Sequence, residues 1–223
     1  PWRAAARKTA RSPMDINQAL NTFTGLGARW VLWLLVALSV GAVAVIIERA
    51  VYLLTSRDDV CQLQQELRDL LARGQLERAR HRLEESPCFE ARVAAAGLNA
   101  DGPGSAEERM AGETQLVRLK MERHLAYLGT LGNNAPFVGL LGTVIGIIGA
   151  FHELSEGVGQ VSAGLMAEIG EALVATAVGL LVALPAIAFF NLFQRVITGR
   201  VGRADALGHE VLAYFKAMRE VVS

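Results

Sequence analysis

Glu171, Thr143 and Thr176 are the residues of this chain whose chemistry their surroundings do not explain. The threonines lie inside two apolar runs, GLLGTVIGIIGAF and EALVATAVGLLVALPAIAFF, and the glutamate heads the second. A carboxylate at membrane depth is costly and tends to face a wet cavity where it serves function. Hydroxyls can hydrogen-bond a passing ion or proton carrier. Each has a plainer alternative. Glu171 either occupies an interfacial first turn, favoured by the helix dipole, or lies a turn or two inside a helix that starts near Ser162 and continues through Leu165, Met166 and Ile169. The threonines either line a passage or bond the carbonyl one turn back in their own helix.

The rest of the chain offers little other chemistry. His152-Glu153 is followed by Leu-Ser-Glu, so the HExxH zinc motif is absent. His81, His124 and His209 are scattered among charged helical segments and read as surface residues. Cys61 and Cys88 form no CxxC and read as ordinary reduced thiols. No glycine-rich phosphate loop, GxSxG or paired-carboxylate site occurs. We therefore expect no enzyme activity, no cofactor and no metal. Formal net charge is zero, and no basic cluster interleaved with aromatics argues for nucleic acid.

The elements that must position these residues are membrane helices. Of 223 residues, 52% are hydrophobic but only 6% aromatic, a composition suited to closely packed helices in lipid. A bilayer core of about 30 Å needs about 20 apolar residues in a helix. Residues 30–54, 125–151 and 169–194 meet that requirement. The expected fold is an all-α polytopic membrane protein, three transmembrane helices with long cytoplasmic helical extensions. Arginine is abundant from Arg57 to Arg123 and in the tail, whereas HELSEGVGQVSAGLMAE has no Lys or Arg. The positive-inside rule then assigns 14–29 as a periplasmic N-terminal segment, 55–124 as a cytoplasmic helical domain, 152–168 as a short periplasmic connection and 195–223 as a cytoplasmic tail. Arg3, Arg7, Lys8 and Arg11 break the rule, which we read as a native start at Met14 with 1–13 an upstream or non-native extension.

Within the polar part, Val60, Leu63, Leu67, Leu70 and Leu71 keep helical spacing. Gly74 separates that helix from LERARHRLEES, and Pro87 ends the next. A short helix over 90–100 follows. Ser105-Ala-Glu-Glu108 reads as a capping box opening a helix that runs unbroken to Pro136 and into the second span. The third span likewise continues into 201–222.

Small residues dominate one face of each of the last two spans. Gly139, Thr143, Gly146 and Ala150 fall at steps of four, three and four, and Ala172, Thr176, Gly179 and Ala183 repeat those steps. With Gly142, these positions let helix backbones approach closely. Pro136 and Pro185 each remove a backbone hydrogen bond and can kink a helix. Asn133 and Asn134 place amides beside Pro136, at a possible pore mouth.

NAPFVGLLGTVIGIIGAF followed by IGEALVATAVGLLVALPAIAFFNLF resembles the signature of the MotA/TolQ/ExbB proton-channel family, closest to its ExbB and TolQ branch. The resemblance covers roughly residues 129–200. It implies a subunit of a bacterial inner-membrane motor, N-terminus periplasmic and C-terminus cytoplasmic. It further implies a homo-pentamer around an ExbD/TolR-like single-span partner with a membrane aspartate, serving a TonB/TolA-like protein. Carried over by motif, Thr143 and Thr176 line the pore and Glu171 is the acidic residue of the third span. Asn133-Asn134 departs from the branch, which leaves a gliding-type motor of the same family as an alternative. The rival of another class is a membrane scaffold without ion flux. A single Glu and two Thr make no full proton relay, so a second polypeptide must supply the titrating group if protons pass.

Overall fold

The computed structural model describes residues 28–55, 59–156 and 163–222. Among them the fold is all helix: α1 (Arg29–Thr55), α2 (Val60–Ala72), α3 (Leu76–Glu85), α4 (Phe89–Leu98), α5 (Pro103–Glu122), α6 (Leu125–Glu156) and α7 (Ala163–Val222). The Met14 start, the basic run before it and residues 157–162 lie outside the described residues; the rest of the expected 152–168 connection is helical, because the helices of the last two spans extend into it. Three helices are long and apolar enough to cross a membrane. They are α1 with 27 residues, α6 with 32 and α7 with 60. At about 1.5 Å per residue each reaches beyond a bilayer core of about 30 Å. Pro136 and Pro185 lie inside α6 and α7, and both helices continue through them.

The chain divides into two compact units, and all three long helices pass from one to the other. The first contains the described residues 28–40, 131–156 and 163–185. Its exposed side chains are the large apolar ones, among them Trp33, Val40, Phe137, Leu141, Phe151, Leu173, Leu181 and Leu184. Its buried residues include Ala135, Ala150, Ala172, Ala175 and Ala183 beside Val31, Leu35, Leu131, Ile145, Leu165 and Val182. The outward-facing large apolar side chains are what lipid allows, because lipid tails solvate apolar surface as well as other side chains do.

The second unit contains residues 41–55, 59–130 and 186–222 and has a conventional apolar core. Leu63, Leu67 and Leu71 of α2 face Ala79 and Leu83 of α3, Ala91, Ala94 and Leu98 of α4, Met110 of α5, and Leu207 and Val211 of α7. Each buried leucine contributes about 1.5–3 kcal/mol. Local chemistry sets the ends. The Asp59 side chain accepts from the amides of Cys61 and Gln62 at 3.1 and 3.2 Å, capping α2. Gly74 takes the left-handed conformation, φ 66°, and lets the chain turn into α3. Ser86 is extended, as a residue preceding proline must be. The amide of Ala91 donates to buried Cys88 Sγ at 3.4 Å to open α4; both cysteines are free thiols.

Two sequence expectations fail in this unit. The helix expected to start at the Ser105 capping box starts at Pro103 after Gly102, with no side-chain cap. Proline at the first helical position has its φ preset and gives up only an amide that would have been orphaned. The helix expected to run unbroken into the second span is interrupted at Arg123 and His124, where His124 adopts φ 64°. That backbone costs about 1–3 kcal/mol in a residue with a side chain. Side chains oppose the cost. Arg123 Nε donates to His124 Nε2 at 3.2 Å, so Nδ1 carries the proton and donates to Glu48 Oε2 at 2.9 Å. Arg49 Nη1 donates to the Lys120 carbonyl at 3.0 Å, satisfying one of the open carbonyls at the end of α5.

Candidate functional site

In the first unit α6 and α7 meet backbone to backbone. A Cβ built on Gly139 would come within 2.8 Å of the Ala175 carbonyl and 3.0 Å of Thr176 Cα; one on Gly179 would come within 2.7 Å of the Ala135 carbonyl. One on Gly146 would meet Ala172 Cβ at 2.6 Å, and one on Gly142 would meet Ala175 Cβ at 2.6 Å and Val31 at 3.3 Å. Glycine at these points lets two, and at Gly142 three, helices close to a distance a methyl would prevent.

The threonines occupy this seam differently. Thr143 is half-buried, and its Oγ1 donates to the Leu140 carbonyl at 2.6 Å. The hydroxyl thus spends its proton on its own helix and retains acceptor capacity. Thr176 lies between Ala172 and Gly179, its Oγ1 buried and without a hydrogen-bond partner. An unpaired buried hydroxyl is unfavourable by about 1–3 kcal/mol on mutational scales, so Thr176 is one of the seam's unsatisfied polar groups among the described residues.

Glu171 lies about two turns into α7, which is described from Ala163. Its Oε2 accepts from Arg29 Nε at 3.2 Å, with Arg29 81% and Glu171 23% exposed. Its Oε1 is buried and has no hydrogen-bond partner among the described residues. One turn earlier, Glu168 also holds a buried, unpartnered Oε2, and its carboxylate presses against Gly149 of α6. The carboxylate of Glu153 lies against Gly164. Sequence reasoning missed Glu168, Glu153 and the pairing of Arg29. The i, i+3 spacing of Glu168 and Glu171 was visible; an arginine 142 residues away in sequence was not. Asn133 and Asn134 are exposed, and Ala150 and Ala183 are buried.

Apolar helices packed through glycine and alanine, with two carboxyl oxygens and a hydroxyl on one of them buried and without a hydrogen-bond partner among the described residues, define a polytopic helical membrane protein with polar groups on an apolar helix. Among the described residues no cluster of His, Cys, Asp and Glu is arranged to hold a metal. The chain belongs to the MotA/TolQ/ExbB proton channel family, whose profile matches residues 81–206, and this membership places it among channels rather than enzymes. It is 41% identical over 97 residues to the biopolymer transport protein ExbB of Xanthomonas campestris, covering 43% of this chain and 38% of that protein. It is 40% identical over 95 residues to the putative biopolymer transport protein ExbB-like 2 of Helicobacter pylori, covering 43% of this chain and 63% of that one. Against the Tol-Pal system protein TolQ of Pseudomonas aeruginosa the identity is 40% over 94 residues, covering 42% of this chain and 41% of the relative. The match thus spans less than two thirds of each relative's length.

Proposed function

We propose that this chain is a proton-channel subunit of a motor in the bacterial inner membrane, with its N-terminus periplasmic and its C-terminus cytoplasmic. It forms a homo-pentamer around a single-span partner of ExbD/TolR type, whose membrane aspartate takes up and releases the proton. The complex converts proton motive force into work for biopolymer transport or an envelope process, through a TonB/TolA-like protein.

The observation that carries the reading is the set of three orphaned oxygens on α7, Glu168 Oε2, Glu171 Oε1 and Thr176 Oγ1. Each is buried and has no hydrogen-bond donor among the described residues, on a helix of a proton-channel family. An incoming acid or a file of water would supply what they lack. The energetics are adequate. One proton crossing 100 mV releases about 2.3 kcal/mol, which biases a conformational step by nearly fifty-fold.

The test is proton uptake by proteoliposomes holding the chain with a single-span partner of ExbD/TolR type. Glu171→Gln and Thr176→Val are expected to abolish flux, and Thr143→Val to reduce it. Flux that survives all three changes overturns the pore assignment. A scaffold without ion flux is favoured by one observation: Glu171 has a partner within the chain, Arg29 at 3.2 Å. It predicts that Arg29→Ala and Glu171→Ala have equal effects, on assembly alone.

A further inference from the structure

The second unit holds a cavity of about 660 Å³ that the proton pathway does not use. It lies along α7 where the apolar run ends at Phe193, and its lining combines Leu192 and Val196 with Arg195, Arg200 and Arg203 and with the carboxylates Asp59 and Glu90. Arg195 is the first cation after that run. The cavity therefore spans the level at which a membrane helix leaves hydrocarbon for headgroups.

The charges there are unequally committed. Arg200 is 4% exposed, donates to the Leu53 carbonyl at 2.8 Å and stacks over the Phe89 ring at 5.3 Å. Arg203 Nε donates to Glu90 Oε1 at 3.2 Å; Glu90 is 2% exposed and anchors it, while half of the Arg203 side chain stays exposed. Asp59 accepts from the α2 amides. Arg195 is exposed, and no hydrogen bond or ion pair among the described residues holds it. Arg195, Gly199 and Arg203 follow one another at four-residue steps, on one face of the helix. A Cβ on Gly199 would meet only Arg203 Nη1, at 3.9 Å. The glycine thus leaves open space beside the Arg203 guanidinium, on the helix face that Arg195 shares.

We propose that this space seats the phosphate of a membrane glycerophospholipid. The terminal nitrogens of Arg195 and Arg203 donate to the phosphodiester oxygens over Gly199, and an acyl chain runs along Leu192 and Val196. Planar guanidinium groups suit phosphate oxygens, and basic pockets at the polar end of membrane helices bind lipid headgroups. Soluble phosphate would use the same arginines but has no need of the apolar lining.

The experiment is native mass spectrometry of the full-length complex, delipidated in detergent and titrated with dioleoylphosphatidylglycerol, dioleoylglycerol or inorganic phosphate. Wild type is expected to bind phosphatidylglycerol and not dioleoylglycerol, which has the same chains and no phosphate. Arg195→Gln is expected to weaken phosphatidylglycerol binding by about tenfold or more. Gly199→Leu, which fills that space and keeps both charges, is expected to weaken it similarly without changing subunit count. Equal binding by both variants and wild type, or equal binding of dioleoylglycerol, overturns the proposal. Displacement of the lipid by millimolar inorganic phosphate, with the same dependence on Arg195, overturns the lipid as the source of the phosphate.

Discussion

Arg29 Nε lies 3.2 Å from Glu171 Oε2, joining the first residue of α1 to the carboxylate about two turns into α7. One oxygen of that carboxylate is partnered and the other is buried and bare. The pair separates two roles, because Arg29 touches only the partnered oxygen. Its exposed side chain limits the pair to about 0–1 kcal/mol. Arg29→Ala is thus expected to move the melting temperature of the detergent-solubilised complex slightly and to leave proton flux measurable. Glu171→Gln is expected to remove the flux at an equally small cost in melting temperature.

The α6–α7 seam tolerates no added atom where backbone faces backbone. Gly139→Ala and Gly179→Ala each place a methyl within 2.8 Å of a carbonyl oxygen of the facing helix. Overpacking of this kind costs about 1–3 kcal/mol. Gly170→Ala, on the same helix with nothing within 4 Å, is the control and should be neutral or slightly stabilising. Thermal unfolding of the three variants in one detergent checks the order.

His124 combines a left-handed backbone with two side-chain bonds. His124→Ala keeps the strain and loses the bonds, and is expected to destabilise by about 1–3 kcal/mol. His124→Gly loses the same bonds but relieves the strain, so it should be the milder change. Should His124→Gly prove the more damaging in chemical denaturation, the hydrogen-bonded bend is not what interrupts the helix.

Arg68 and Gln64 of α2 both bond Glu210 of α7; Arg68 Nε to Glu210 Oε2 is 3.1 Å. The Arg68 hydrogen bond, then that of Gln64, holds the Glu210 carboxyl below its ordinary 4.5. A carboxyl lowered in the folded state contributes stability above its unfolded pKa and loses it as pH falls through the lower folded value. Arg68→Gln is therefore expected to lower the melting temperature at pH 7. The difference from wild type should shrink below about pH 4. A difference independent of pH would show that Arg68 acts through packing alone.

Three helices long and apolar enough to cross a membrane and the breaks at Gly74 and Pro87 were legible in the sequence, because local rules set them. Lipid demands a length and a composition, and a turn demands a residue able to make it. The interruption at His124 carried no such mark. Neither proline nor glycine stands there, and the bend is bonded by Glu48, 76 residues away. The start of α5 was misread because Ser105-Ala-Glu-Glu108 satisfied one local rule while Pro103 satisfied a stronger one.

The sequence by itself determined that this chain makes apolar helices with a carboxylate and hydroxyls inside them, and that their small residues recur on single faces. Only the tertiary structure decided that Thr143 bonds its own helix while Thr176 finds no partner among the described residues, that Glu171 meets Arg29, and that Arg195 lines a cavity without an ion pair of its own among the described residues. Periodicity is written within a few consecutive residues. The state of a polar group depends on which distant side chain or backbone the fold brings within 3 Å of it.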